Sequence, residues 1–346
     1  MRIDGLPLLL TGLALVFAAG LAIAVLWDRA GPVLRSALVV ASVLGVAATA
    51  ALQLNRMTAT VGSAPDLVTA TAAGPGGRLV EITIAGPASG MTMPAWVYLP
   101  PGYATGHERY PVVEAFHGFP GSPKGWLRKL NAVGYLNQEI AAGRMAPTVV
   151  AFVYQTPDPL VDTECTNLVG GPQAETYLTV DVPAAIETRF RVRADRAAWG
   201  LIGYSAGGFC AADLLLRHAD RYAAAASLSG YATAGIRVGD GSERTTNDVA
   251  WRLRHLSRPA ASLYLGYAAD DGHPRRDSLL MARLATAPMS VTTGVVAHGG
   301  HSDAVWRTME PPAFDWLSSR LARPAPSSRL DCPARSSGPA CPISGS

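Results

Sequence analysis

An α/β fold with a mostly parallel, doubly wound sheet, preceded by a two-helix transmembrane hairpin, is predicted by three features of this sequence. From residue 110 onward, short apolar or β-branched runs alternate with helical stretches, the pattern of strands joined by helical crossovers. The pentapeptide Gly203-Tyr204-Ser205-Ala206-Gly207 stands between one such run and an Ala/Leu-rich helical stretch, so strand, tight turn and helix follow in order. Two uncharged apolar runs, Leu6 to Trp27 and Ser36 to Leu54, open the chain at near bilayer-spanning length.

Taken in order, residues 1–56 read as the membrane hairpin. Its turn carries Asp28, Arg29, Gly31, Pro32 and Arg35, and the positive-inside rule keeps Asp28 to Arg35 cytoplasmic, with both termini outside; Arg2 and Arg56 oppose that charge bias. The alternative is a cleaved signal peptide, for which Ala48-Thr49-Ala50 offers a small-residue cleavage pattern, although both runs exceed the h-region length of about 7–15 residues. Residues 57–77, rich in Ala, Thr, Gly and Pro, form a linker. The catalytic domain is assigned to 78–322. Its strands are expected at 78–84, 95–99, 110–116, 148–154, 197–204, 223–228, 261–267 and 291–297, the first two as an antiparallel pair. Its helices are expected at 123–142, 175–189, 206–217, 246–255, 275–285 and 302–322. Residues 323–346 read as a disordered Pro/Ser-rich tail.

A chain of 346 residues, 49% of them apolar, can bury a sizeable core. The net charge of +3 is small and no Lys/Arg cluster interleaves with aromatics, so no nucleic-acid partner is expected. The four cysteines suit an exported domain. Three connectivities are open; Cys165 with Cys210 and Cys332 with Cys341 is favoured, and a buried free thiol at Cys210 is the alternative.

The chemistry centres on Ser205. In a strand-turn-helix elbow the serine sits on a strained apex, and the flanking glycines are needed because side chains there would strike the neighbouring strand or helix. A serine nucleophile needs a base to take its proton and an acid to orient that base. His301, after the Gly299-Gly300 hinge, is the favoured base over His298; His107, His117, His218, His255 and His273 read as surface or turn residues. Asp270 and Asp271 both follow an apolar run at 263–267, on the side of an α/β sheet where catalytic groups gather, and either could serve as the acid. Two backbone N–H groups must face the developing oxyanion: Ala206, next to the nucleophile, and Phe119, in the loop after the run ending at Phe116. No histidine has the company of a metal motif, and neither metal nor cofactor is expected.

The segments YPVVEAFHGFPG (110–121), GYSAGGFCA (203–211), LYLGYAADD (263–271) and GGHSDAVW (299–306) resemble the esterase D and antigen 85 family of α/β-hydrolases, over roughly Leu79 to Leu321. The most specific part is His301-Ser302 followed by Trp306. The resemblance implies an α/β-hydrolase fold, with Ser205 as nucleophile, His301 as base and Asp271 as acid. Ala268 stands where the family has glycine, which leaves Asp270 open. Residues 162–165 and 175–178 also look like membrane-anchored actinobacterial members. The expected function is therefore a membrane-anchored extracytoplasmic serine esterase. Acyl transfer to a sugar or lipid hydroxyl, and a non-catalytic surface binding module, are the alternatives.

Overall fold

The computed structural model describes residues 6–27, 31–58 and 76–326. Two apolar helices come first, α1 (Leu6–Leu26) and α2 (Pro32–Thr58). They pack through small residues: a Cβ on Gly12 would lie 2.9 Å from Thr49 Oγ1, and one on Gly45 3.2 Å from Val16. Among the described residues, Pro32–Gln53 is long and apolar enough to cross a membrane, and Leu10–Val25 is a shorter apolar helix. The expected linker and the Cys332–Cys341 bridge fall largely or wholly outside the described residues.

The remaining chain folds around an eight-stranded sheet. Its strands are β1 (Arg78–Gly86), β2 (Met91–Leu99), β3 (Val112–Phe116), β4 (Val149–Val153), β5 (Trp199–Tyr204), β6 (Ala224–Leu228), β7 (Ser262–Ala268) and β8 (Ser290–Val296). Their spatial order is 1-2-4-3-5-6-7-8, antiparallel between β1, β2 and β4 and parallel from there on. The central strands are buried on both faces, which is why they read as continuous apolar runs without polar alternation.

Successive residues on a strand point to opposite faces, and the core divides accordingly. Val112 and Leu201 face helices α4 (Val182–Arg189), α5 (Ala206–Arg217), α6 (Val249–His255) and α7 (Gly272–Leu284), packing with Ile186, Phe209, Leu253 and Met281. Their neighbours Val113 and Ile202 face α3 (Ala132–Ala141) and α8 (Asp303–Arg320), packing with Leu136, Phe314 and Leu317. Phe314 is fully buried, and truncating such a ring to alanine costs about 3–5 kcal/mol.

Three expectations are corrected. The helix expected over 123–142 is divided into a π-helical turn (Gly125–Lys129) and α3, because Asn131 takes the left-handed conformation (φ 62°), which asparagine tolerates. The helix expected from Thr246 starts at Val249, where the Asp248 carboxylate accepts the Trp251 N–H at 2.7 Å as a cap. The tail assigned from Arg323 joins the fold at its start, since Ala325–Pro326 pairs with Glu108–Arg109 in a small second sheet.

Candidate active site

β5 ends at Tyr204 and α5 begins at Ala206, so Ser205 alone makes the turn, at φ 56° and ψ −121°. A non-glycine residue held there stores roughly 1–3 kcal/mol of strain. The surroundings enforce it: Ser205 N–H donates to Leu228 O at 2.9 Å, and the Gly208 and Phe209 amides donate to Ser205 O at 2.9 and 3.2 Å. The two elbow glycines are sterically compelled. A Cβ on Gly203 would lie 1.9 Å from the Gly207 carbonyl oxygen, and one on Gly207 would lie 2.3 Å from the Phe116 carbonyl oxygen.

Three side chains from three strand ends converge at this turn. Ser205 Oγ lies 2.8 Å from His301 Nε2, and His301 Nδ1 lies 2.7 Å from Asp271 Oδ2. A carboxylate only accepts, so Nδ1 carries the proton and Nε2 offers its lone pair to the serine hydroxyl. Asp271 is 8% exposed, which strengthens its hold on the imidazole. Asp270, the other candidate acid, turns elsewhere: its two oxygens accept the Gly299 and Gly300 amides at 3.0 and 2.9 Å. Those two hydrogen bonds hold its carboxyl below the usual range. The His298 side chain is 89% exposed and stands 3.9 Å from Asp270.

The loop after β3 passes over the elbow. A Cβ on Gly118 would lie 3.2 Å from Ser205 Cβ. His117, read from sequence as a surface or turn residue, is instead buried, because it directly follows the central strand β3 and its ring packs edge-on against Tyr154. His117 Nδ1 lies 2.8 Å from Gly118 O, and burial pushes the imidazole down to about 4, so it is neutral with the proton on Nδ1. Gln155, just beyond β4, bonds to both backbone groups of His117. Sequence reasoning missed Gln155; its one signal was a polar residue directly after an apolar strand, at the edge where the other site residues emerge. Beside this loop a cavity of about 260 Å³ is walled by Met93, Pro94, Gly121, Tyr154, Thr156 and Pro157.

Cys165 and Cys210 form a disulfide with Cα atoms 5.5 Å apart, the pairing favoured from sequence. It ties the loop after β4 to α5, the helix that starts directly after Ser205. The preceding residue, Glu164, is buried and accepts hydrogen bonds from Tyr231 Oη and Gly235 N at 2.9 Å each, extending the same tie to the loop after β6. Among the described residues no group of three or more His, Cys, Asp or Glu is arranged to hold a metal ion.

With this geometry in place, the family described as "Putative esterase" matches residues 87–328. The chain belongs to this esterase family. The match runs from the β1–β2 turn to just past the small second sheet. An uncharacterized protein of Corynebacterium glutamicum is 28% identical to this chain over 272 residues, covering 70% of this chain and 62% of its own length. The chain therefore spans less than two thirds of that curated relative. Among solved structures, a ferulic acid esterase aligns with TM-score 0.61 at 17% identity, over 72% of this chain and 100% of its own. An S-formylglutathione hydrolase from Agrobacterium tumefaciens aligns with TM-score 0.60 at 17% identity, over 72% and 98%. At such identities the likeness shows the fold, and the α/β-hydrolase fold with a mostly parallel central sheet is the one the two share with this chain.

Proposed function

We propose that this chain is a membrane-anchored, extracytoplasmic serine esterase that works through Ser205, His301 and Asp271. The carrying observation is the unbroken relay from Ser205 Oγ to His301 Nε2 at 2.8 Å and from His301 Nδ1 to Asp271 at 2.7 Å. In the first step Ser205 Oγ attacks the ester carbonyl while His301 Nε2 takes its proton. Asp271 stabilises the imidazolium without becoming protonated. The amides of Ala206 and Phe119 receive the oxyanion. Collapse expels the alcohol, protonated by His301, and leaves an acyl-serine. A water molecule, deprotonated by the same imidazole, then releases the acid and restores Ser205. The apolar cavity beside the oxyanion loop is of a size for one modest apolar group of the ester. A sugar or lipid hydroxyl could replace water in the second step, but no residue on the site favours it, and hydrolysis is the reading adopted.

Membrane attachment is supported by Pro32–Gln53, with Leu10, Leu15, Phe17, Val43 and Leu44 of the two packed helices turned outward. Export is supported by the Cys165–Cys210 disulfide, since such bonds persist outside the reducing cytoplasm. The same reading gives a hairpin over 1–56, a linker over 57–77 and the catalytic domain over 78–322.

The deciding experiment is Ser205→Ala in the full chain, assayed with short-chain p-nitrophenyl esters and a fluorophosphonate label. Turnover should fall by about 10³-fold or more and labelling should vanish. Normal turnover in the folded variant would remove Ser205 as nucleophile. Normal turnover with no labelling of the wild-type protein would remove the covalent mechanism.

A further inference from the structure

We propose that Gln155 is a positioning residue for the oxyanion loop, its side-chain amide clamping the His117 backbone so that the Phe119 N–H is held ready for the oxyanion. The inference rests on the serine-esterase reading above and adds to it a residue outside the triad and the two amide donors.

The argument starts where β3 and β4 part. Their last paired residues are Phe116 and Val153, after which neither chain has a backbone partner from the other. Gln155 fills that place with its side chain: Oε1 accepts the His117 N–H at 2.9 Å, and Nε2 donates to the His117 carbonyl at 2.9 Å. This is the pair of bonds a strand residue would make. The second Nε2 hydrogen faces Cys210 Sγ of the disulfide at 3.6 Å. The backbone carbonyl of Gln155 accepts from Thr163 Oγ1 at 2.8 Å, in the loop that the disulfide secures. Gln155 is only 6% exposed, and a reversed amide would set two oxygens against each other at His117.

The clamp fixes the His117 carbonyl and therefore the plane of the following peptide. The His117 ring fixes the next one, its Nδ1–H bonding to Gly118 O at 2.8 Å. That peptide is trans, so its N–H, which belongs to Phe119, points opposite to the Gly118 carbonyl and away from the imidazole. Two successive peptide planes are thus set, by Gln155 and by His117, and the N–H left over is the proposed second oxyanion donor. Such a donor acts on charge that appears only in the transition state, and its value depends on being oriented beforehand. Loss of the clamp should weaken transition-state binding and leave ground-state ester binding nearly intact.

The test uses the full-length protein in detergent with Gln155→Met, which removes both hydrogen bonds at similar length. Gln155→Glu is the companion variant, keeping the acceptor for His117 N–H and removing the donor to its carbonyl. With p-nitrophenyl acetate, kcat should fall by about 10- to 100-fold while KM moves by less than about threefold. The affinity for a boronic acid that mimics the tetrahedral intermediate should fall by the same factor as kcat/KM. Thermal unfolding of each variant checks that it is folded under assay conditions. A folded Gln155→Met protein with kcat within about threefold of wild type overturns the proposal, as does a fall in kcat with unchanged boronate affinity. Ser205→Ala separates the two levels: if that variant stays active, the serine reading itself fails; if it is dead while Gln155→Met is normal, only the clamp fails.

Discussion

Trp306 meets the imidazole of His301 edge-on, with the ring planes at 90° and the centroids 4.9 Å apart. The indole is backed in turn by Tyr204, at 4.7 Å, and Tyr204 by Trp126, at 5.1 Å. An aromatic stack thus runs from Tyr204, the residue before Ser205, to His301. Trp306 lies one turn into α8, where its side chain reaches back to the loop that carries His301.

Trp306→Leu should therefore disturb the imidazole without touching the triad chemistry. A misplacement of about 1 Å can cost 10²-fold, so a fall in kcat of about 10-fold or more is expected, with KM little changed. Trp306→Phe, which keeps an aromatic edge, should recover most of the rate. Unchanged kcat in Trp306→Leu would mean that Asp271 alone holds the ring.

The two adjacent aspartates should separate cleanly. Asp271→Asn leaves an amide opposite Nδ1 and favours the wrong tautomer, so a loss of roughly 10²- to 10⁴-fold in kcat is expected. Asp270→Asn removes one of two acceptors for the Gly299 and Gly300 amides and should cost the rate little. Steady-state kinetics on both variants decides between them, and the reverse ranking would exchange their roles.

Much of this site is legible in the sequence because its parts are local. Gly203, Ser205 and Gly207 lie within five residues, and the turn they make is dictated by collisions among those residues and their immediate strand neighbour. The choice between Asp270 and Asp271 is not local. Neighbouring loop residues point in different directions according to backbone angles that only the packed fold sets, and residue type alone could not separate them. Gln155 was illegible for a related reason: its partner, His117, is 38 residues away and is met through backbone atoms, which carry no sequence signature. His117 was misread for the same cause, since a histidine before glycine at a strand end resembles any turn. In the fold, the strand runs were legible because burial on both faces makes them uniformly apolar. The break at Asn131 and the two-residue pairing of Glu108–Arg109 were not, being too short to leave a periodicity.

Glu114 gives the fold a pH dependence with a definite sign. It is fully buried on β3; Tyr222 donates to Oε1 at 3.0 Å, and among the described residues Oε2 has no hydrogen-bond partner. Burial pushes the carboxyl up to about 8 from its ordinary 4.5. Between those values the unfolded chain is ionised there while the folded one keeps its proton, so stability falls as pH rises across that window. The contribution is whole below about 4.5 and gone above about 8, and at the outside is on the order of 5 kcal/mol. Buried His117, held down at about 4, acts in the opposite sense between about 4 and its ordinary 6.5. A comparison of wild type with Glu114→Gln isolates the carboxyl. The variant should gain on wild type steadily from pH 5 to pH 8 in denaturant titrations. A difference that does not change with pH would mean that Glu114 ionises normally in the folded protein.

The Cys165–Cys210 bond closes a loop across 45 residues of sequence. In the chain-entropy account, releasing such a loop adds about 4 kcal/mol of freedom to the unfolded state. For a domain of this size, that corresponds to a fall in Tm of roughly 10 °C on reduction. The bond also backs Gln155 and anchors the segment that carries Glu164, so its loss reaches the site as well as the unfolded chain. Reduced protein should accordingly lose esterase activity at temperatures where the oxidised protein is still folded. Thermal unfolding with and without dithiothreitol, beside a Cys165→Ala/Cys210→Ala variant, tests both parts. The double variant should be insensitive to the reductant and should melt with the reduced wild-type protein. Equal melting of oxidised and reduced protein would show that the bridge does not constrain the fold. Free, alkylatable thiols at both positions in protein purified without reductant would remove the bridge, and with it the support it lends to export.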